Sequence, residues 1–441
     1  MAAEFVLIYA CYLGAAFAWL RSDAEVFLAD DMGWLRILIV ALCLVLASYF
    51  LDLYSELSFS RELLQKMALV VATAFLTEAI LSYCKLARLV VPTGPMIVGS
   101  TLTLMALMTS RYLFGLLLSK VPAEGVVFLG DSPVMQEIAS HLEAHPEKGL
   151  TPLGFLGDPN ALSGKRLGSI SDLFEVVGRM HPKRIVVGLQ ERRSHLPVAQ
   201  LLELRLSGIR IEDALSSYEM AFERISTHEL RPSQLIFSSS ELGPSRTSVR
   251  LQMAYSMAIA SIAVAVTAPV MLLVGALVKL TSPGPALLRQ QRVGKNNRIF
   301  TLYKFRSMVR DAEAHSGAVW ATRNDPRVTP VGRWLRRLRL DELPQLFNVL
   351  KGDMSIVGPR PERPEFVAEL EKRLPYYRQR HCIKPGITGW AQIKHKYGDT
   401  IEDTIVKLEY DLYYIKNLAP ALDAVIMFHT AKVMLLSRGA Q

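Results

Sequence analysis

Two adjacent carboxylates, Asp341 and Glu342, stand in a strongly basic part of the sequence. Between Thr281 and Leu350 there are thirteen Lys and Arg residues and only five Asp and Glu residues. An Asp carboxylate can attack phosphorus and carry the phosphoryl group as an acyl phosphate. Mg²⁺ is commonly held by one or two carboxylates together with substrate phosphates. These residues therefore indicate phosphoryl transfer, although an adjacent Asp-Glu pair also fits an ordinary charged surface.

Several basic residues could bind the phosphates of such a substrate. Lys304 and Arg306 alternate in the strand-like run 298–308, so they should project from one face of a strand. We interpret them as ligands of a nucleotide diphosphate, the alternative being an ordinary basic edge strand. Arg360 lies between two prolines, which lowers the entropy lost when its guanidinium grips phosphate.

Residues further along the chain complete the predicted site. Asp353, in Lys351-Gly352-Asp353, is a third carboxylate for the metal or for positioning the substrate. Arg378 and Lys384 flank a segment that could cover a uridine diphosphate. His381 has no metal-ligand spacing around it, and we interpret it as structural.

A short basic helix should position the two carboxylates. Val331, Trp334, Leu335 and Leu338 recur at helical spacing, and such an amphipathic helix is expected to lie in a membrane interface. Adjacent helical residues point about 100° apart. Asp341 could therefore attack phosphorus while Glu342 holds the metal.

Residues 1–120 predict an α-helical bundle of four membrane helices. Its apolar segments are Phe5–Leu20, Ile37–Leu51, Met67–Tyr83 and Val90–Leu118. The N-terminus lacks a basic region, so we expect it to be a first membrane helix and not a cleaved signal peptide. An acidic first connection and an even number of spans place the following domains in the cytoplasm, although Lys85 and Arg88 argue against this. Glu78 lies inside the third segment, where we expect it to bond a neighbouring helix.

Residues 121–245 predict a soluble Rossmann-like α/β domain with a parallel sheet. A helix is expected at Leu196–Leu206. The expected strands are Gly125–Leu129, Leu153–Leu156, Arg184–Leu189 and Ile209–Ile211. The domain has no GxGxxG sequence, so a structural or dimerising role is favoured over nucleotide sensing.

Residues 254–280 form a fifth apolar segment that is long enough to span a bilayer. Basic residues flank both of its ends, so both ends favour the cytoplasmic side. Pro269 lies near its middle, which predicts a re-entrant helix, a break and a second helix within one leaflet. Further on, Glu402–Asn417 is expected to be a charged amphipathic helix, and Asp423–Leu436 a helix lying flat on the interface.

Composition agrees with a membrane enzyme that handles phosphates. The chain of 441 residues has a formal net charge of +9, and hydrophobic residues make up 51% of it. No nucleic-acid-binding motif is present, so the basic charge points to membrane lipids and phosphates. The four cysteines form no CxxC pair, so we expect neither a disulfide framework nor a zinc site.

Several motifs of residues 250–441 together resemble the bacterial sugar transferase family of polyprenol-phosphate phosphoglycosyl transferases. The longest is Leu340–Glu362, LDELPQLFNVLKGDMSIVGPRPE. The others are Pro283-Gly284-Pro285, Gln291–Gly294, Lys304–Met308, Lys384–Gln392 and Tyr410–Tyr414.

This resemblance implies a mainly α catalytic domain at 250–441, bound to the bacterial inner membrane by the re-entrant helix and facing the cytoplasm. It implies that Asp341 is the nucleophile and that Glu342 supports Mg²⁺. The expected reaction transfers a sugar-1-phosphate, of glucose or galactose, from a UDP-sugar to undecaprenyl phosphate and releases UMP. This reaction would initiate exopolysaccharide, O-antigen or capsule synthesis. Long members carry a similar middle domain, for which a homodimer is plausible.

Three alternatives remain open at this point. Asp341 could act as a general base instead of a nucleophile, although a lipid phosphate is already ionised near neutral pH. The enzyme could transfer the sugar without its phosphate and release UDP. The chain could also be a non-catalytic membrane scaffold or regulator of polysaccharide assembly.

Overall fold

The computed structural model describes most of the chain. The described residues are 2–51, 53, 61–84, 87–120, 123–130, 132–157, 165–189, 196–228, 230, 244–310, 312, 325–395 and 400–435. Lys85 and Leu436, both used in the sequence predictions, lie outside them. The chain forms two compact units, of which one comprises 1–124 with 145–150 and the other comprises 125–144 with 151–441.

The first unit consists of apolar helices. Its helices are α1 (Ala2–Leu20), α2 (Ala24–Ala29), α3 (Gly33–Phe50), α4 (Arg61–Tyr83) and α5 (Thr93–Lys120). All four predicted membrane segments are helical in the structure. Four stretches of this unit, together with one helix of the second unit, are long and apolar enough to cross a membrane.

Polar side chains inside the first unit bond to other segments of the same unit. Glu78 accepts hydrogen bonds from the backbone amide of Val91, at 3.1 and 3.3 Å, as its interpretation as a packing residue requires. Arg111 forms an ion pair of 3.1 Å with Glu4. The Glu78 and Arg111 side chains are thus bonded within the unit.

The second unit begins with a parallel α/β sheet. Its strands are β1 (Glu124–Gly130), β2 (Leu150–Leu156), β3 (Arg166–Gly168), β4 (Arg184–Gly188) and β5 (Arg210–Asp213). Their order is β3-β2-β1-β4-β5, and β4 pairs in parallel with both β1 and β5. Its helices are α6 (Pro133–Ala144), α7 (Leu173–Met180), α8 (Val198–Leu206) and α9 (Ala214–Phe222). The four predicted strands are present, whereas the short β3 was not predicted.

The remaining elements form the mainly helical region that contains Asp341. Its strands are β6 (Leu287–Val293), β7 (Ile299–Phe305), β8 (Ser355–Val357) and β9 (Gly386–Thr388). Its longer helices are α10 (Arg246–Thr281), α11 (Pro330–Arg337), α12 (Gln345–Lys351), α13 (Pro364–Arg373), α14 (Trp390–Lys394), α15 (Ile401–Lys416) and α16 (Pro420–Leu435).

Helix α10 is continuous over 36 residues and passes through Pro269. The predicted break into two helices is therefore absent. Proline removes one backbone hydrogen bond, but a long apolar helix can continue through it when neighbouring groups compensate. A bend at Pro269 and a re-entrant path stay predictions.

One face of α10 packs along its whole length on the region that contains Asp341. Near its start, the Gln252 amide donates to Tyr414 Oη at 2.7 Å and to Asp423 Oδ2 at 2.9 Å. Near its end, Val274 and Val278 belong to a buried cluster with Phe305 and other residues. Both ends of the helix thus contact the same domain.

Two other helices that are predicted to lie on a membrane interface are partly covered by the protein itself. Of the four apolar side chains of α11 and its end, Leu335 is the one that is buried, packed near the end of α10, whereas Trp334 is 64% exposed. In α16 Asp423 and Ile426 are fully buried. Each helix therefore buries part of its apolar face in the protein instead of laying the whole face on a membrane. Helical spacing identified a common face, but it could not show which part of that face the protein covers.

Candidate active site

An antiparallel hairpin of β6 and β7 supports one wall of the site. Asn348, in α12, is fully buried and binds the edge of this hairpin like a strand partner. Its amide donates to the Thr301 carbonyl at 2.7 Å, and its oxygen accepts from the Tyr303 amide at 3.0 Å. These bonds fix the residues preceding α12 beside β7. The sequence analysis did not identify this role of Asn348.

Asp341 and Glu342 lie in a single 3₁₀ turn, Leu340–Glu342, and not in a regular α-helix. The turn follows Arg339, whose backbone is left-handed with φ of 57°. Successive side chains of a 3₁₀ helix diverge by about 120°. The two carboxylates therefore face different surroundings, as is also expected for adjacent residues of an α-helix.

Glu342 is held by three cations. Its Oε1 accepts from Lys304 Nζ at 3.2 Å and from Arg360 Nη2 at 3.1 Å. Its Oε2 lies 3.8 Å from Arg339 Nη1. Burial alone would raise the pKa of Glu342, but Lys304 and the two arginines outweigh burial and hold this pKa well below its usual range. Glu342 is therefore ionised.

Asp341 has a different environment, although it is only 8% exposed. It forms no hydrogen bond or ion pair with any residue in the described ranges. Burial, together with the negative charge of Glu342, raises the pKa of Asp341, and Lys304 and two arginines partly oppose this. A buried carboxylate without partners costs folding free energy, so its presence in a cavity suggests a functional role.

Both carboxylates line a cavity of about 1160 Å³. One part of its wall is strongly basic, and the arginines there are Arg292, Arg327, Arg333, Arg336, Arg337, Arg339, Arg360, Arg363 and Arg380. Another part is mostly apolar, with Ala263 from α10, Leu343, Ile387, and Val433 and Met434 from α16. The cavity can therefore accept a polyanion at one side and an apolar chain at the other.

A buried ion pair fixes the backbone next to Arg360. Arg380 Nη2 donates to Asp411 Oδ2 at 2.8 Å and to the Arg360 carbonyl at 3.1 Å. Arg380 also donates to Tyr377 Oη at 2.6 Å. Arg378, predicted as a substrate-binding residue, is exposed, whereas Arg380 is buried and lines the cavity. Arg380 and Asp411 are 31 residues apart, so the local sequence around either residue does not indicate that they pair.

Arg306, predicted as a phosphate ligand, is bonded to the end of α10 in the structure. Its guanidinium donates to the Pro283 and Ser282 carbonyls, each at 2.8 Å, and to Ser282 Oγ at 2.7 Å. It therefore ties the end of α10 to β7 and is not one of the residues that line the cavity. Lys304, two residues earlier, lines the cavity as expected.

Lys384 and Asp353 are also not among the residues that line the cavity. Lys384 Nζ donates to Met253 Sδ at 3.2 Å. Asp353 is the carboxylate whose negative charge favours the protonated form of Lys384. His381 is buried against the edge of Tyr377. Burial and the neighbouring arginines lower the pKa of His381 to about 3, so the ring is neutral.

The residues present suit only one kind of Mg²⁺ site. Within the described ranges, no group of three His, Cys, Asp or Glu residues could hold a metal ion. Glu342 supplies one ionised carboxylate at the cavity, which fits Mg²⁺ bound jointly by the protein and by substrate phosphates. An all-protein cage that includes Asp353 does not fit.

Comparison with known proteins agrees with these motifs. Residues 247–437 match the family model described as bacterial sugar transferase. The chain is also 44% identical over 182 residues to an exopolysaccharide production protein of Rhizobium leguminosarum bv. phaseoli, covering 90% of that relative and 40% of this chain. The chain belongs to the bacterial sugar transferase family.

Two further relatives carry more specific names. A UDP-N-acetylgalactosamine-undecaprenyl-phosphate N-acetylgalactosaminephosphotransferase of Aeromonas hydrophila is 51% identical over 182 residues, which cover 41% of this chain and 43% of the relative. A UDP-glucose:undecaprenyl-phosphate glucose-1-phosphate transferase of Escherichia coli K12 is 34% identical over 312 residues, which cover 69% of this chain and 66% of the relative. The chain thus spans less than half of the first relative and about two thirds of the second.

Proposed function

We propose that this protein transfers a sugar-1-phosphate from a UDP-sugar to undecaprenyl phosphate and releases UMP. The observation that carries the proposal is the contrast between Asp341, a partnerless carboxylate in a cationic cavity, and Glu342, which binds three cations. The family relationship supplies the class of reaction. The product would begin the assembly of a bacterial polysaccharide.

In the first step, an Asp341 carboxylate oxygen attacks the phosphorus that bears the sugar. The bond between this phosphorus and the bridging oxygen of the diphosphate breaks, and UMP leaves with the bonding electrons. The phosphosugar is then linked to Asp341 as an acyl phosphate. Lys304, Arg339 and Arg360, which Glu342 holds near the attacking oxygen, are placed to stabilise the charge on the transferring group.

In the second step, an oxygen of undecaprenyl phosphate attacks the same phosphorus. The acyl phosphate bond breaks and restores the Asp341 carboxylate, and the product is a lipid diphosphate sugar. The attacking phosphate is already ionised near neutral pH, so no general base is needed. The apolar wall between α10 and α16 suits the polyprenyl chain.

Glu342 would hold Mg²⁺ together with the substrate diphosphate, which leaves the Asp341 carboxylate available for attack. When bound, the ion would neutralise phosphate charge and favour departure of UMP. Glu342 suits this role because it is ionised, and its cationic partners can turn toward the phosphates when the substrate enters.

Helix α10 would enter the membrane without crossing it. Both of its ends pack on the same domain, and its opposite face exposes large apolar residues, including Ile262, Val266, Leu272 and Leu273. In a variant whose four native cysteines are replaced by Ser, single cysteines at Thr247 and Arg289 test this path. Labelling of both from the cytoplasm is expected, and labelling of the two from opposite sides would contradict it.

The sugar that the protein transfers is identified by testing a panel of UDP-sugars. The relatives are named for glucose and for N-acetylgalactosamine, so UDP-glucose, UDP-galactose and UDP-N-acetylgalactosamine are tested with Mg²⁺, undecaprenyl phosphate and membranes bearing the protein. UMP release that disappears in Asp341→Asn is expected. Release of UDP would indicate glycosyl transfer, and release of neither nucleotide would indicate a non-catalytic scaffold.

A further inference from the structure

Helix α15 carries two buried carboxylates that face different partners. Glu409 and Asp411 are 3% and 2% exposed. Residues two apart on a helix point about 200° apart. Glu409 faces the segment that follows α9 of the α/β region, whereas Asp411 faces Arg380.

The Glu409 side binds the α/β region through several donors. Its Oε1 accepts from the Thr227 amide at 2.9 Å and from Thr227 Oγ1 at 3.3 Å. Its Oε2 accepts from Tyr218 Oη at 3.3 Å and lies 3.5 Å from Arg224 Nε. The Ile225 amide donates to the Glu409 carbonyl at 3.1 Å. One acidic residue thus receives donors from both α9 and the segment that follows it.

A second contact lies at the other end of the same helix. Glu219, in α9, forms an ion pair of 2.6 Å with Lys416. Both of these side chains are less than a quarter exposed. This pair joins the same two elements, but it has no bond to Arg380 or to Arg360.

The Asp411 side leads to the candidate active site. Asp411 binds Arg380, Arg380 donates to the Arg360 carbonyl, and the Arg360 guanidinium binds Glu342. Two prolines restrict the backbone on either side of Arg360. The backbone of Arg360 is therefore held in place, and its guanidinium is held at 3.1 Å by Glu342 Oε1.

We infer that Glu409 is a positioning residue through which the α/β region sets the location of Arg360 in the phosphate-binding wall. A change at Glu409 shifts α15, and Asp411 and Arg380 carry that shift to the Arg360 carbonyl. This inference rests on the proposed function for its kinetic consequence, but its structural consequence is independent of the reaction. The α/β region then contributes to catalysis without touching substrate.

Glu409→Gln tests this inference, with Glu219→Gln as the matched control at the same contact. Glu409→Gln keeps the shape of the side chain but loses the charge that binds Arg224. We expect the KM for the UDP-sugar to rise about fivefold or more, because Arg360 loses its placement. Glu219→Gln should stay within about twofold, since Glu219 binds Lys416 and Asn417 at the end of α15, away from the bonds that reach Arg360.

A double-mutant cycle separates positioning from simple loss of stability. If Glu409 acts through Arg360, Glu409→Gln should have no further effect on KM in an Arg360→Ala background. Independent, multiplicative effects of the two substitutions would overturn the inference, as would an unchanged KM in Glu409→Gln.

Amide exchange gives a readout that does not need activity. The Val293 amide donates to the Glu362 carbonyl, and the Gly386 amide donates to the Pro359 carbonyl, both at 2.9 Å. These two amides therefore report on the backbone that surrounds Arg360. Exchange at both should accelerate in Glu409→Gln and stay unchanged in Glu219→Gln; unchanged exchange in both variants would overturn the inference. Absence of any transfer by the unmodified protein, with this exchange result intact, would instead overturn the proposed function alone.

Discussion

Buried charged side chains differ in their bonding partners between the apolar helical unit and the cavity of the second unit. In the former, Glu4 pairs with Arg111, and Glu78 accepts from the Val91 amide. In the latter, Glu342 is similarly satisfied, but Asp341 beside it is not. Satisfied charges stabilise packing, whereas a buried carboxylate without partners is kept at an energetic cost. This difference identifies the reactive group more clearly than the Asp-Glu sequence does.

Asp341→Asn should have the largest effect on activity. The amide cannot form the acyl phosphate, so transfer should fall by about 10³-fold or more. Stability should be unchanged or slightly higher, because the substitution removes a buried charge without hydrogen bonds. Turnover and the midpoint of thermal unfolding are measured in the same detergent. A large loss of stability with partial activity would show that Asp341 is structural.

Glu342→Gln should lower both activity and stability. Three cations lose their shared negative partner, and breaking such a buried pair costs about 3–5 kcal/mol. We expect turnover to fall by about 10²-fold, and the unfolding midpoint to drop, in contrast to Asp341→Asn. Equal stabilities of the two variants would remove the distinction between the adjacent carboxylates.

His381→Gln should change the pH dependence of stability. The pKa of His381 is about 3 in the folded protein and near its ordinary value of 6.5 when unfolded. Between these values the unfolded chain binds more protons, so acidification favours unfolding by up to about 1.4 kcal/mol per pH unit. The unfolding midpoint should therefore fall less between pH 6.5 and pH 5 in the variant. Equal falls would show that His381 protonates freely in the folded protein.

Glu78→Gln should have the smallest effect. Its amide oxygen can still accept from the Val91 amide, so packing is preserved. Transfer activity and the unfolding midpoint should both stay close to those of the unmodified protein. A loss of activity comparable with that of Glu342→Gln would give this carboxylate a functional role and would blur the contrast between the two regions.

Much of this arrangement was predictable from local sequence. The four apolar segments and the four main strands of the parallel sheet follow from periodicity, and Lys304 was selected from its alternation in a strand-like run, whereas its contact with Glu342 was not predicted. Arg306 was assigned to phosphate because the sequence does not show the loop at Ser282 and Pro283, whose carbonyls its guanidinium binds.

The parts that were not predicted depend on contacts between distant residues. Arg380 meets Asp411 only after α15 folds back on its own domain, and Asn348 meets β7 only after α12 packs beside the hairpin. The continuity of α10 through Pro269 likewise depends on packing along its whole length. Local propensity favours a break there, and tertiary contacts override it.

The most direct test of the central claim is a search for the phosphosugar on Asp341. Purified protein is incubated with Mg²⁺ and the active UDP-sugar without undecaprenyl phosphate, and its intact mass is measured. We predict a mass increase of one sugar phosphate and release of one UMP per protein, with the adduct mapped to Asp341 and lost when undecaprenyl phosphate is added. An active enzyme that shows no adduct and releases no UMP until the lipid is added would contradict covalent transfer through Asp341.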